Sequence, residues 1–93
     1  MSNLLDKIYV KNTNFPWQTM SSETIIIDPK EKSSFELNEV GSFIWNNFDG
    51  TRTLADIQNL ICTSFDATEN EISADLEELT SLMLKEQLII EQA

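Results

Sequence analysis

Hydrophobic positions in the first half of the chain alternate with polar ones, as they do in half-buried β-strands. The alternation predicts strands at Trp17–Met20, Glu23–Asp28 and Ser34–Leu37. Three consecutive isoleucines in the second segment suit the buried centre of a sheet, because β-branched side chains pack well on a pleated surface. Turn-forming residues separate the segments, so the pattern predicts a three-stranded antiparallel meander.

After the third strand, apolar positions recur about every 3.6 residues, which is the period of an α-helix. The first helix is expected to stop at Asp49-Gly50, and the third runs to about Lys85. Thr68 and Glu71 form a capping-box pattern at the start of the third helix, and Leu88–Ile90 would close that helix as an apolar tail. The three predicted helices open on residues that favour the N-cap position: Asn38, Thr53 and Thr68.

Three strands followed by three helices give an α+β layout that resembles a winged helix-turn-helix with its sheet placed first. The 93 residues are enough for one core, so we expect a single domain over residues 1–93. Ile8 and Val10 alternate like a short strand, but Asn12–Asn14 break the pattern. We therefore interpret residues 1–14 as an N-terminal arm.

The charge of the chain narrows the classes of partner. Sixteen acidic and six basic residues give a formal net charge of -10, which repels phosphate backbones and anionic lipid head groups. The third helix, which would read DNA in a helix-turn-helix protein, is itself acidic and carries a lone lysine, Lys85. Nucleic acid and membrane are therefore disfavoured partners. The N-terminus lacks the pattern of a signal peptide, so we expect a cytoplasmic protein.

The sequence offers few residues for catalysis or metal binding. It contains no histidine and a single cysteine, Cys62, which lacks a histidine that could activate it. Glu71, Asp75 and Glu78 share one helix face, but carboxylates at helical spacing are usually a solvated surface. We therefore expect no catalytic residue, no metal and no cofactor.

The predicted meander leaves backbone hydrogen-bonding groups unpaired at its two edges. Its outer strands each expose a row of backbone N–H and C=O groups. If Ser34–Leu37 is such an edge, it can accept an extended peptide as a fourth strand, and the third helix nearby can supply pockets for side chains. Capture of a peptide is therefore the simplest function that this layout supports.

The run IIIDPKEKSSFELNEVGSFIWNNFDGTRTLADI resembles the signature of the PqqD-like family, the stand-alone recognition elements for precursors of ribosomally synthesised and modified peptides. The segment DLEELTSLMLKEQLI is similar to the last helix of that family, which begins near an aspartate, here Asp75. Gln87 stands where the family usually has glycine, so the exit of this helix could differ in shape. The resemblance covers about residues 17–90.

The resemblance implies a non-catalytic adaptor, which binds the leader segment of a ribosomally made precursor peptide and presents it to a modifying enzyme. In the family the leader adds as a strand beside the third strand and lies against the third helix. The enzyme would be a radical-SAM protein, a leader peptidase or a similar maturation enzyme. Carried onto this chain, the peptide-binding residues are Ser33, Ser34, Phe35 and Glu36 on the strand and Asp75, Glu78, Leu79 and Leu82 on the helix.

Two other functions remain open at the level of sequence. A winged-helix transcriptional regulator would share the fold, but it would need a basic surface. A small regulatory subunit of an enzyme would bind a folded protein and not an extended peptide.

Overall fold

The computed structural model describes residues 4–66 and 68–92, which form six strands, three α-helices and a 3-10 turn at Leu4–Asp6. The strands are β1 (Ile8–Lys11), β2 (Trp17–Met20), β3 (Glu23–Asp28), β4 (Ser33–Leu37), β5 (Asp49–Thr53) and β6 (Ile89–Gln92). The helices are α1 (Glu39–Asn46), α2 (Leu54–Ser64) and α3 (Glu69–Lys85). In this part of the chain, no helix is long and apolar enough to span a membrane.

The predicted meander is confirmed. Strands β2, β3 and β4 form an antiparallel sheet in that order, and β4 begins one residue earlier than predicted. Ser21 and Ser22 join β2 to β3 and have φ values of 52° and 68°, the left-handed conformation of a two-residue hairpin turn. In the next turn the Asp28 carboxylate accepts hydrogen bonds from the N–H groups of Lys30 and Glu31.

The three predicted N-caps are also confirmed, and each satisfies a backbone N–H that a helix start leaves free. Asn38 Oδ1 accepts from the N–H of Gly41 at 2.9 Å. Thr68 Oγ1 accepts from the N–H of the third helical residue of α3 at 3.3 Å. Thr53 and Asp56 form a reciprocal capping box at the start of α2. Because these caps depend on neighbouring residues alone, the sequence is sufficient to predict them.

A second antiparallel sheet, with the strand order β5-β1-β6, was missed. The interpretation of residues 1–14 as an arm was wrong for Ile8–Lys11, which is the central strand of this sheet; residues 1–3 lie outside the described residues. Leu88–Ile90 was also assigned wrongly, since Ile89 starts β6 and does not extend a helix. The paired strands are far apart in sequence, as Ile8 and Gln92 show, so no local pattern predicts their pairing.

Helix α1 ends earlier than predicted. It stops at Asn46, Asn47 caps its C-terminus, and the predicted stop, Asp49-Gly50, instead begins β5. Gly50 has φ of 82°, and a Cβ at this position would lie 2.5 Å from Gln92 Oε1 of β6. Glycine is therefore favoured there by its backbone conformation, whereas the flexible end of the Gln92 side chain can move away from an added Cβ.

The core lies between the inner face of the β2-β3-β4 sheet, the three helices and the second sheet. Ile44 and Phe48 are buried as predicted, and the half-buried Phe43 packs edge-on against Phe65 at 5.4 Å between ring centroids. The fold class predicted from sequence, a three-stranded antiparallel sheet followed by three helices, is confirmed, with a second sheet added. The buried apolar side chains are Tyr9, Ile26, Ile44, Trp45, Phe48, Leu54, Ile57, Ile61, Ile72, Leu76, Met83, Leu88 and Ile89.

Candidate functional site

Strand β4 forms one edge of the first sheet. It pairs with β3 alone among the described strands, through the register Ile25 opposite Glu36 and Ile26 opposite Phe35. The outward side of β4 therefore carries backbone donors and acceptors that no strand of the described chain takes up in a ladder. Such a row is a template for a further strand.

A groove of about 490 Å³ runs between the end of this edge strand and α3, and the first two turns of α1 form its third wall. The groove is long enough in the direction of α3 to span almost two helical turns, from Asp75 to Leu82. Its lining residues are Glu36, Leu37, Asn38, Val40, Gly41, Ile44, Asp75, Glu78, Leu79 and Leu82.

The absence of a side chain at Gly41 gives the groove part of its room. A Cβ at this position would lie 3.2 Å from Leu37 Cβ and 3.3 Å from Asn38 Oδ1. These separations are tighter than ordinary van der Waals contact, so a side chain here would require Leu37 or Asn38 to shift by a few tenths of an ångström. The same Asn38 Oδ1 accepts the N–H of Gly41, which fixes the turn from strand to helix.

The surface of the groove is apolar at its base and acidic at its rim. Val40 and Leu79 are half-buried and Ile44 is buried, while Asp75 and Glu78 are exposed on α3. No lysine or arginine is among the described lining residues. This combination offers backbone hydrogen bonds, an apolar surface and negative charge, which together suit an extended peptide with apolar anchors and basic neighbours.

The structure brings five of the eight predicted site residues to this groove. Glu36 reaches it from β4, and Asp75, Glu78, Leu79 and Leu82 reach it from α3. The remaining three, Ser33, Ser34 and Phe35, lie along the same edge strand but do not line the groove. Phe35 turns to the inner face of the sheet, since it lies opposite the buried Ile26 and packs against the core.

Sequence reasoning missed the wall that α1 contributes, namely Val40, Gly41 and Ile44. A signal for it was present. β4 ends at Leu37 and Asn38, the next residue, caps α1, so no loop separates the two elements. A helix that starts directly at the end of an edge strand must place its first turns beside that edge.

The fold and the groove define a class: a small α+β protein of winged helix-turn-helix type, with an open strand edge beside an acidic groove. The family model of coenzyme PQQ synthesis protein D (PqqD) matches residues 23–89, well over half of the chain. The chain therefore belongs to the PqqD family, in agreement with the resemblance noted in its sequence.

Two relatives are similar in sequence. The chain is 35% identical over 54 residues to a PqqA binding protein of Xanthomonas campestris pv. campestris (strain B100), a match that covers 58% of this chain and 59% of that protein. It is 30% identical over 77 residues to a PqqA binding protein of Xanthomonas oryzae pv. oryzae (strain KACC10331 / KXO85), covering 83% of this chain and 74% of the relative. The first match thus spans less than two thirds of its relative.

A solved structure is similar in fold. The structure of TbiB1 in complex with the TbiA(beta) leader peptide superposes with a TM-score of 0.78 over 90% of this chain and 98% of that chain. The sequence identity is 18%, so the likeness concerns the fold.

Proposed function

We propose that this protein is a non-catalytic adaptor that binds the leader segment of a ribosomally synthesised precursor peptide by β-strand addition. The observation that carries the proposal is the position of the unpaired edge of β4 beside the groove lined by α3. Family membership supports it, as do the relatives named as PqqA binding proteins. The similar fold in a leader-peptide complex is consistent with the same mode.

The backbone of the peptide would supply the sequence-independent part of the affinity. A strand laid along Ser33–Glu36 gains ladder hydrogen bonds, each worth about 0.5–1.5 kcal/mol net. These bonds fix the direction and register of the peptide but do not distinguish one sequence from another. Ser33, Ser34, Phe35 and Glu36 therefore act through their backbone in this proposal.

Side chains of the peptide would supply the specificity. Alternate residues of an added strand point to the groove, where Leu79 and Leu82 offer apolar contact. Burying one large apolar side chain there contributes about 1.5–3 kcal/mol. Asp75 and Glu78 stand at the rim, so basic residues beside the apolar anchors favour binding and raise the association rate.

The adaptor would act in the cytoplasm and hand the bound leader to a maturation enzyme such as a radical-SAM protein or a leader peptidase. In this proposal it has no catalytic activity of its own. A role as a transcriptional regulator is disfavoured by charge, since Asp75, Glu77 and Glu78 are exposed on the helix that would approach DNA.

The test is a fluorescence anisotropy titration with labelled synthetic peptides, made from the short open reading frames beside the gene. Each candidate precursor is divided into an N-terminal leader half and a C-terminal core half. We expect one leader half to bind and its core half and a scrambled leader not to bind. Equal binding of leader and scrambled peptide, or binding of none of them, contradicts the proposal.

A further inference from the structure

The outer face of the β2-β3-β4 sheet carries an apolar patch that the peptide site does not use. Residues opposite each other in an antiparallel pair point to the same face, and successive residues alternate. Thr24 and Ile26 are fully buried on the inner face. Ile25 and Ile27 therefore point outward, and both are 46% exposed.

Met20 extends this patch from the neighbouring strand and is 64% exposed. Together with Gln18 and Glu23 on the same face, the three apolar side chains line a shallow depression of about 280 Å³. We call Met20, Ile25 and Ile27 the outer patch. Apolar side chains that adjoin one another on an exposed sheet face are typical of interaction surfaces, whereas scattered ones are not.

The outer patch is continuous with the edge that would receive the peptide. Ser34 and Glu36 of β4 lie opposite Ile27 and Ile25, so they share the outer face with the patch. A strand added along β4 would place every second side chain on this same face, next to Ser34 and Glu36. The bound peptide would thus extend the outer face of the sheet beyond β4, which is its edge strand in the free protein.

The charges beside the outer patch indicate what covers it. Glu23 and Glu36 are exposed, and no basic side chain lines the depression among the described residues. A second copy of this chain would bring like charges together, and each copy carries a formal net charge of -10. A partner surface that is apolar and flanked by lysine or arginine fits the patch instead.

We propose that the outer patch is the docking surface for the maturation enzyme, which contacts it through an apolar region flanked by basic side chains. This inference rests on the proposed function. The enzyme then touches the sheet and the outward side chains of the bound leader together. Its affinity for the loaded adaptor is therefore higher than for the empty one, and the two binding events are positively coupled.

The test uses the full chain with Ile25→Thr and Ile27→Thr combined, which removes apolar area but keeps β-branched side chains on the strand. Ile90→Thr is the matched control, because Ile90 is 50% exposed on β6 of the other sheet. Each radical-SAM protein or peptidase encoded beside the gene is purified and titrated by interferometry against each immobilised adaptor, with and without the leader peptide. Leader affinity is measured separately by anisotropy.

We expect the double variant to weaken binding of one enzyme by about tenfold or more, while leader affinity and the Ile90→Thr control stay within about twofold of wild type. Leader should tighten the enzyme affinity of the wild-type adaptor. Unchanged enzyme affinity of the double variant, or no binding by any of these enzymes, overturns the docking surface even if the leader binds. Sedimentation that shows a wild-type dimer dissolved by the double variant also overturns it, in favour of a second copy.

A leader that fails to bind any of the adaptors contradicts the proposed function itself and removes the docking inference with it. The separate anisotropy measurement therefore distinguishes the two failures.

Discussion

Gln87, the residue after the C-cap of α3, has the left-handed conformation that glycine favours, with φ of 63°. The N–H of Leu88 donates to Met83 O at 2.8 Å and that of Gln87 donates to Leu84 O at 3.1 Å, which is the hydrogen-bond pair of a Schellman motif. Glutamine thus adopts a turn that glycine would favour, at a cost in backbone energy.

This cost predicts a stabilising substitution. Gln87→Gly relieves the left-handed strain and should raise the free energy of unfolding by about 0.5–1 kcal/mol, after its larger unfolded-state entropy is counted. Such a change raises Tm by several degrees in a domain of this size, measurable by circular dichroism. Glu86→Gly is the control, because Glu86 has φ of -85° and should lose stability on substitution. A lower Tm for Gln87→Gly would contradict the strain argument.

Lys11 lies between the two sheets in an unusual environment. Its Nζ is 5.4 Å from the Trp17 ring centroid and 5.8 Å from that of Trp45, and it donates to Phe48 O at 3.2 Å. Burial lowers the pKa of Lys11 below its ordinary value of 10.5, and the nearby Asp49 carboxylate partly opposes that change. Burial therefore disfavours the charged form of this ammonium group relative to a fully solvated lysine.

The lowered pKa predicts a dependence of stability on pH. Between the folded pKa and 10.5 the unfolded chain binds more protons, so the contribution of Lys11 to stability rises as pH increases through that window. An NMR titration of Lys11 Cε should show a pKa below 10.5, and Asp49→Asn should lower it further. A pKa at or above 10.5 in the wild type would refute the burial argument.

At the scale of elements, local sequence signals predicted strands and helix starts well, but they did not predict the pairing of strands that are distant in sequence. Strands β2 to β4 and the starts of all three helices follow from alternation, turn residues and N-caps. Strands β1 and β6 have four residues each and bury mainly Tyr9 and Ile89. Their pairing joins residues 8–11 to residues 89–92. Alternation indicates at most that a segment is a strand, and it does not identify a pairing partner so far along the chain.

The groove predicts that α3 contributes to leader binding through a side chain that contributes little to the free energy of unfolding. Leu82 lines the groove and is 48% exposed, so Leu82→Ser should change the free energy of unfolding little. We expect it to weaken leader binding by about tenfold, because the peptide loses an apolar contact. Ile90→Ser is the matched control, with 50% exposure and no position in the groove. Equal affinities of the two variants in anisotropy would place the leader elsewhere.

Part of the candidate site was predictable because it lies on elements that local sequence patterns identify. Glu36 and the α3 residues follow from an edge strand and a helix that lie side by side in the predicted layout. The α1 wall depends on the close approach of Gly41 to Leu37, and the periodicity of the sequence does not predict this distance. The outer patch was missed because the isoleucine run of β3 was interpreted as suited to the buried centre of a sheet, whereas Ile25 and Ile27 are half exposed.

The whole molecule is an acidic body, and its field should govern association with a basic leader. Asp75→Asn combined with Glu78→Gln removes two carboxylates from the groove rim. We expect weaker binding at low salt and a smaller loss of affinity between about 50 and 500 mM NaCl, because fewer charges remain to be screened. Glu77→Gln, on the same helix but outside the groove lining, should have the smaller effect. A flat salt response of the wild type would contradict this role of the rim.

The central claim is that the leader becomes a strand beside β4. Backbone-amide NMR of the labelled adaptor with unlabelled leader peptide tests it most directly, through cross-strand contacts between peptide and adaptor amides. We expect such contacts to Ser33–Leu37, with shift changes from Asp75 to Met83 and few at β2, the opposite edge of the sheet. Cross-strand contacts to Trp17–Met20, or a bound leader with no contacts to β4, would contradict the account.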